Sequence, residues 1–233
     1  MINFLRNVFW SPIKLILSVL PNSYGRFVKL SIINVLSYIG YSNSLNRMDR
    51  LIIEFFNYKK NGVCLEVGGA DGIDQSNSLH LERRYNWKSY LVEPTTDQFN
   101  LLKRFRKEAI FKRYAFVSCD LFATKKNIEI KLNNLQSTIV SKDTNSDRYR
   151  TELVPTNTLD NFFIDNGIRN LDLLILDVEG YEIQVLEGYK KDQSIINFML
   201  VEASNFEDFD AYAKSRNWKF IKNIGIDYLY SLK

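Results

Sequence analysis

The feature that most constrains the fold is a short apolar stretch that runs into three glycines, at residues 63–72. It reads Val-Cys-Leu-Glu-Val-Gly-Gly-Ala-Asp-Gly, with a single acid, Glu66, inside the apolar run. Apolar residues followed at once by Gly68, Gly69 and Gly72 predict a buried strand that enters a tight turn. Because glycine admits positive φ and a close approach of a ligand to the backbone, we expect this turn to border a binding site.

The acid in this stretch indicates which ligand the turn accepts. Glu66 occupies the place of the first glycine in the dinucleotide-binding pattern Gly-x-Gly-x-x-Gly. A carboxylate there would repel a pyrophosphate, whereas it suits a cofactor that carries an ammonium group and no phosphate, such as S-adenosylmethionine. A nicotinamide-dependent oxidoreductase is the alternative, since a strand, a glycine turn and an acid after the second strand also occur in that class.

The rest of the chain alternates predicted strands and helices. We expect strands at residues 63–67, 89–92, 110–117, 171–176 and 198–201, with helices at residues 76–85, 96–105 and 206–216 among the segments between and after them. Such alternation predicts an α/β fold with a mostly parallel sheet, right-handed crossovers and helices on both faces. The segments 219–224 and 226–232, joined at Gly225, are expected to pair antiparallel.

Residues 121–150 interrupt this alternation. Ile128, Ile130 and Leu132 alternate with polar residues as in an exposed strand, and residues 136–150 are polar with mixed charge. We expect a hairpin-like insertion followed by a mobile loop near the acceptor site, because long loops in compact domains are commonly lids or disordered segments.

Residues 1–58 are predicted to form an N-terminal helical extension of a domain at residues 59–233. The first 48 residues contain basic and apolar side chains but no acid, and their apolar stretch at residues 13–20 is short. A bilayer-spanning helix needs about 20 apolar residues, so we expect none here. Two alternatives remain for this segment: helices packed over the domain, which we favour, and a peripheral contact with an anionic membrane.

Four acids come at the carboxyl ends of predicted strands: Glu66, Glu93, Asp177 and Glu202. In open α/β sheets, ligands bind in the crevice outside those ends. The four acids are therefore candidate site residues. Capping of the next helix is the alternative for Glu93, Asp177 and Glu202.

Several motifs together resemble the FkbM family of class I S-adenosylmethionine-dependent methyltransferases. The glycine-rich stretch resembles motif I of that class, and three other stretches narrow the resemblance to FkbM. These are Ser76-Asn77 with Leu81-Glu82, the segment Trp87-Lys-Ser-Tyr-Leu-Val-Glu-Pro94, and the segment Asp172-Leu-Leu-Ile-Leu-Asp-Val-Glu-Gly180. The resemblance covers residues 61–204 and implies a Rossmann-like fold whose seven-stranded sheet contains one antiparallel strand.

The resemblance also implies an activity, since FkbM enzymes mostly O-methylate hydroxyls of sugars, glycans and polyketide-type metabolites. It places Glu66 and Gly68 near the methionyl part of the cofactor and Glu93 at the ribose hydroxyls. Ala115 and Phe116 would border the adenine, although core packing explains Phe116 equally well. The candidate cofactor-binding set is completed by Gly69, Asp71, Gly72 and Ser76.

Asp177 is the first candidate for a general base, because a protonated sugar hydroxyl is a weak nucleophile. Glu179 and Glu202 are second candidates, either as bases or as acceptors that orient substrate hydroxyls. Binding of a divalent cation such as Mg²⁺ by these three carboxylates is an alternative, but no spacing demands it and we predict no metal site. A catalytically silent glycan-binding or membrane-associated protein of the same fold is a further alternative.

Charge and cysteine content bear on partners and location. The net charge of +4 is milder than a nucleic-acid binder usually shows, so we expect a small-molecule or glycan acceptor instead. Cys64 and Cys119 are too few for a disulfide framework, which favours reduced thiols and a cytoplasmic setting. One basic cluster is expected to be a solvated face, with docking of an anionic glycan or membrane as the alternative. It consists of Lys103, Arg104, Arg106, Lys107, Lys112 and Arg113.

Overall fold

A seven-stranded sheet organises the structure, a computed structural model that describes residues 22–42, 44–132, 138–139, 150–190 and 195–232. Its strands are β1 (Val63–Val67), β2 (Lys88–Val92), β3 (Ile110–Lys112), β8 (Asn170–Leu176), β9 (Ile195–Val201), β10 (Trp218–Ile224) and β11 (Asp227–Leu232). Their spatial order is β10-β11-β9-β8-β1-β2-β3. Strand β11 runs antiparallel to both of its neighbours, whereas the other adjacent pairs are parallel. The predicted mostly parallel sheet with one reversed strand is therefore confirmed.

A second sheet contains the four strands that lie between β3 and β8 in the chain. These are β4 (Ala115–Phe116), β5 (Asn127–Lys131), β6 (Thr138–Ile139) and β7 (Thr151–Asn157), in the spatial order β4-β7-β5-β6. The single strand predicted at residues 110–117 is wrong, because the chain leaves the large sheet after β3 and β4 pairs with β7 instead of β2. Of the predicted mobile loop, residues 136–137 and 140–149 lie outside the described residues.

Helices cover both faces of the large sheet because its central strands are apolar on both sides. Along β8, Leu174 and Leu176 face one hydrophobic core, while Leu173 and Ile175 face the other. The first core includes side chains from α6 (Leu159–Asp165), α7 (Glu182–Leu186) and α8 (Phe206–Ser215). The second core includes side chains from α2 (Met48–Phe55) and α3 (Leu79–Tyr85). Two further helices are α4 (Thr96–Phe105) and α5 (Cys119–Thr124).

The described part of the N-terminal extension packs on this domain. Helix α1 (Asn22–Tyr38) buries Leu30 and Ile33 against Ile73, Leu79 and Phe105, and α2 contributes to the second core. Within the described ranges, no helix combines the length and the apolarity that a membrane span requires. Residues 1–21, which carry the apolar stretch 13–20, lie outside those ranges. Membrane contact and a division of the chain at residue 58 therefore stay predictions.

Candidate active site

The glycine turn after β1 brings three strand ends together. Gly68 has a φ of +86°, and a Cβ atom built on it would lie 1.8 Å from the backbone oxygen of Asp177, the residue after β8. The backbone N–H groups of Gly68 and Gly69 both donate to the carbonyl oxygen of Val92, at the end of β2. Only glycine tolerates this conformation and this contact together. The turn thus holds the carboxyl ends of β1, β2 and β8 at one place.

A cavity opens where these strand ends meet. Half of the predicted site residues line it, and they come from β4 as well as from the three strand ends. These lining residues are Gly68, Glu93, Ala115, Phe116, Asp177 and Glu179. The cavity lies outside the carboxyl ends of parallel strands, where open α/β sheets bind their ligands.

Glu93 is a buried carboxylate in the cavity wall, with 6% of its surface exposed. Its Oε2 accepts a hydrogen bond from the N–H of Ala70 at 3.0 Å. Its Oε1 accepts from the N–H of Thr95 at 2.8 Å and from the Thr95 hydroxyl at 2.6 Å. Burial raises the pKa of Glu93. Because Thr95 is engaged in this way, α4 begins without a side-chain cap.

Glu66 is also buried, but it is not among the residues that line this cavity. Its carboxylate accepts hydrogen bonds from the hydroxyls of Ser76 and Ser78 and from the N–H of Asn77. These donors satisfy a carboxylate that would otherwise be costly to bury. They also keep the chain out of helical structure, so α3 begins at residue 79 rather than at residue 76 as predicted. The predicted contact of Glu66 with a cofactor stays a prediction beside this bracing role.

Arg106 completes the polar network behind the glycine turn. Its guanidinium donates to the carbonyl oxygen of Gly72 at 2.8 Å and to the hydroxyls of Ser76 and Ser78 at 3.0 and 3.1 Å. It also pairs with the carboxylate of Glu82 at 2.8 Å. Gly69, Gly72 and Ser76 therefore belong to the loop behind the cavity, and none of them lines it.

The burial of Arg106 corrects the prediction that the whole basic cluster is a solvated face. Its side chain is 0% exposed, because it neutralises carboxylates that are themselves buried. The sequence does contain a signal for this position. Phe99, Leu102 and Arg106 are spaced as one face of a helix, so Arg106 continues the apolar face of α4. In the same cluster, Arg113 pairs with Glu152, and four members are exposed: Lys103, Arg104, Lys107 and Lys112.

Three acids follow or begin adjacent strands at the same edge of the sheet. Leu176 pairs with Val201, and Val201 pairs with Tyr228, so the neighbouring residues Asp177, Glu202 and Asp227 come together. Asp227 is 5% exposed, and its Oδ1 has no hydrogen-bond partner in the described part of the chain. Asp227 is not among the residues predicted from the sequence, because it begins a strand instead of ending one. Since β11 is reversed, its first residue lies at the edge where the parallel strands end.

Burial and like charge raise the pKa values of Asp177 and Asp227. The pKa of Asp177 is raised to about 8 by burial and by the nearby Glu202 and Glu179. The pKa of Asp227 is raised to about 7 by burial and by Glu202. No described lysine or arginine forms a salt bridge with Asp177, Glu202 or Asp227. A carboxyl group that titrates near neutral pH in a cleft is suited to proton transfer.

Across the described ranges, no group of three or more His, Cys, Asp or Glu side chains is placed to hold a metal ion.

The cavity fits a cationic donor without phosphate. The described residues that line it include Glu93, Asp177 and Glu179 but no lysine, arginine or histidine. The pyrophosphate of a nicotinamide cofactor would therefore meet acidic side chains and no cationic one among these lining residues, which disfavours the oxidoreductase alternative. Ala115 and Phe116 supply an apolar wall of the kind that packs against a planar base.

Comparison with known proteins agrees with this fit. A family model described as the Methyltransferase FkbM domain matches residues 66–228, which is more than half of the chain. No curated protein sequence matches.

Solved structures show only remote similarity. One is a TehB-like SAM-dependent methyltransferase from Corynebacterium glutamicum, with 11% identity, coverage of 91% of this chain and 97% of that chain, and a TM-score of 0.48. Another is the methyltransferase FkbM from Methylobacillus flagellatus, with 10% identity, coverage of 88% and 60%, and a TM-score of 0.45.

The family match spans the glycine turn, Glu93 and Asp177 and ends at residue 228, at the start of β11. It agrees with a cavity that is lined by acids and suits a ligand without phosphate, because the family's methyl donor is S-adenosylmethionine. The chain therefore belongs to the FkbM family of S-adenosylmethionine-dependent methyltransferases.

Proposed function

We propose that the protein transfers the methyl group of S-adenosylmethionine to a hydroxyl oxygen of a sugar, a glycan or a related metabolite. The choice of oxygen as the acceptor atom rests on Asp177. This residue is a largely buried carboxyl group in the cavity wall, and its pKa is raised to about 8. A hydroxyl must lose its proton as its oxygen attacks, and a base that titrates near the working pH assists this best. The family's usual acceptors support the same choice.

Other residues of the cavity wall bind the methyl donor and align it with the acceptor. S-adenosylmethionine supplies a methyl group that is already activated on a sulfonium, so the protein has mainly to bind and align the reactants. We assign Glu93 to the ribose hydroxyls, because its buried carboxylate lines the cavity. We assign Ala115 and Phe116 to the contact with the adenine. We assign Gly68 to a close contact between the backbone and the methyl donor, because glycine carries no side chain.

Asp177 takes the proton of the acceptor hydroxyl in this assignment. In the free protein its raised pKa keeps it largely protonated at neutral pH. A cation bound in the same cavity favours the charged carboxylate and lowers its pKa. The carboxyl group thereby becomes a competent base when the methyl donor is bound.

Glu202 and Asp227 extend the acidic character of the site beyond the cavity, which neither of them lines. We assign Glu202, which is exposed, to the acceptor, where its carboxylate accepts hydrogen bonds from other hydroxyls of that molecule. The negative charge of this surface disfavours an acceptor that carries phosphate or sulfate next to the reacting hydroxyl. The acceptor that fits this surface is a polyhydroxylated molecule without an anionic group there.

The direct test is transfer of a labelled methyl group to fractionated host glycans and metabolites, with the methylated atom identified by NMR. We expect O-methyl products from the unaltered protein. Asp177→Asn should lower kcat by about 10²- to 10³-fold, the usual contribution of a general base, and change adenosylhomocysteine affinity little. Asp120→Asn, an exposed substitution in α5, is the matched control and should leave kcat unchanged.

Two results would contradict the proposal. Methylation of nitrogen or sulfur would exclude a hydroxyl acceptor, and full activity of Asp177→Asn would exclude Asp177 as the base. The catalytically silent alternative predicts that no acceptor yields adenosylhomocysteine and that Asp177→Asn acts normally in cells.

The basic and apolar composition of residues 1–22 supports a separate hypothesis, namely that this segment makes a peripheral contact with the membrane. It predicts that the full chain sediments with anionic vesicles and that deletion of residues 1–22 abolishes the effect. Unchanged sedimentation after the deletion would exclude it.

A further inference from the structure

Helix α1 reaches the wall of the cavity through one side chain, Arg26. Its Nη2 donates to Oδ2 of Asp71 at 2.9 Å and to Oε1 of Gln98 at 2.6 Å. Gln98 is 5% exposed and lines the cavity, and Asp71 is fully buried in the turn after β1. Arg26 lies outside the residues that match the family model, yet it joins two parts of the site.

We propose that Arg26 is a positioning residue for the methyl donor. It fixes the side chain of Gln98 at the cavity wall and, through Asp71, the glycine turn, so that the N-terminal helix is part of a functional donor site. This inference rests on the proposed function, because it takes the cavity as the place where S-adenosylmethionine binds.

Asp71 explains why a cation is needed at this position. Its Oδ1 accepts hydrogen bonds from the N–H groups of Ile73 and Asp74, at 2.9 and 2.8 Å, while Oδ2 faces Arg26. A buried carboxylate that loses its counter-charge is strongly unfavourable, so without Arg26 the turn has to rearrange. The residue before Asp71 is Ala70, whose N–H holds Glu93. A displacement of Asp71 would therefore also displace the carboxylate of Glu93, which we assign to the ribose hydroxyls.

The packing of α1 against the domain holds Arg26 in place. Leu30 and Ile33 of this helix are fully buried against α3 and α4, and the rings of Phe27 and Phe105 lie 5.6 Å apart. A side chain that projects from a packed helix is held with little conformational freedom. This is the arrangement that positions a neighbouring binding group accurately.

Lys29 provides a matched control one turn further along α1. It pairs with Asp74, and its side chain is 37% exposed, against 36% for Arg26. Neither Lys29 nor Asp74 lines the cavity. A substitution of Lys29 removes an ion pair between α1 and the same loop and leaves the wall of the cavity untouched.

The experiment measures adenosylhomocysteine affinity by calorimetry and the thermal midpoint of unfolding, both on the full chain. We expect Arg26→Ala to weaken binding about tenfold, the scale of one charged hydrogen bond, and Lys29→Ala to change it by less than about twofold. Arg26→Lys should recover most of the affinity, because its ammonium still neutralises Asp71. A purely structural role would instead give Arg26→Ala and Lys29→Ala parallel losses in both measurements.

A double-mutant cycle with Gln98→Met tests whether Arg26 acts through Gln98. Residues that act through a shared contact give non-additive effects, so the double variant should bind more tightly than the product of the single losses predicts. Additive losses, or equal affinity of Arg26→Ala and Lys29→Ala, would overturn the inference. If Arg26→Ala does not fold, Gln98→Met decides the question, because unchanged adenosylhomocysteine affinity in that variant would overturn the inference. Failure of the unaltered protein to bind adenosylhomocysteine would overturn the proposed donor site itself.

Discussion

The backbone oxygen of Asp177 occupies the space that a side chain on Gly68 would need. A Cβ atom at Gly68 would lie 1.8 Å from that oxygen, far inside any allowed contact. The turn that borders the donor cavity and the residue that we assign as the base are thus held together by a direct backbone contact. A shift of either strand end would displace both the donor and the base.

Substitution of Gly68 tests this contact. Gly68→Ala has to separate β1 from β8 and adopt an unfavourable positive φ, so we expect it to abolish adenosylhomocysteine binding and lower stability. Gly167→Ala is the matched control, because Gly167 also has a positive φ, of +63°, but no atom lies within 4 Å of its added Cβ. The control should cost about 1 kcal/mol in urea unfolding and leave binding unchanged. Normal binding by Gly68→Ala would contradict the expectation.

Glu93 provides a test of the donor site that is independent of the base. In Glu93→Gln, an amide replaces a carboxylate that accepts three hydrogen bonds, and its NH₂ group has no capacity to accept. We expect calorimetry to show adenosylhomocysteine affinity reduced by about tenfold or more. Glu152→Gln, which breaks a partly exposed pair with Arg113 outside the cavity, should have little effect. Equal losses in the two variants would argue against a direct role of Glu93.

Arg106 should dominate the stability of the loop behind the cavity. Arg106→Met removes the cation from a buried network with Glu82, so we expect a loss of about 3–5 kcal/mol in the free energy of unfolding. Lys107→Met changes the next residue, which is exposed, and should stay within about 0.5 kcal/mol. Urea unfolding of both variants measures the difference. A loss for Arg106→Met as small as that for Lys107→Met would show that the network contributes little.

The pH dependence of stability tests the environment of Asp177. Burial and the nearby acids raise its pKa to about 8 in the folded protein, far above about 3.9 for an unfolded aspartate. The folded state therefore holds the proton more tightly. The stability that this gives is complete below the unfolded pKa and is lost as the pH rises through about 8.

We therefore expect the free energy of unfolding of the free protein to fall as the pH rises from about 4 to about 8 and to level off above that, and Asp177→Asn to flatten this fall, most clearly between about pH 7 and 8. The pKa of Asp227, raised to about 7, and that of His80, lowered by burial to about 4, affect stability mainly at lower pH. Urea unfolding at several pH values measures the slope, and Asp120→Asn should retain it. An unchanged slope in Asp177→Asn would contradict the raised pKa.

The sequence by itself determined the α/β class, the reversed strand and the placing of Glu93 and Asp177 at strand ends. These features follow from local patterns, namely apolar runs of strand length, glycines that permit one backbone conformation, and acids directly after the runs. The family resemblance rests on the same stretches. Such patterns involve residues that are close together in the chain, so they can be recognised in the sequence before any tertiary contact is known.

Only the tertiary structure decided what several charged side chains contact. Arg106 is buried because Glu82 and the serines behind the glycine turn surround it, and Asp227 joins Asp177 because β11 is reversed. Arg26 meets Asp71 from 45 residues away. A charged side chain is buried only where distant residues supply its partners, and the sequence around it does not specify those partners. The surroundings of the site were therefore set by packing between elements that are remote in the chain.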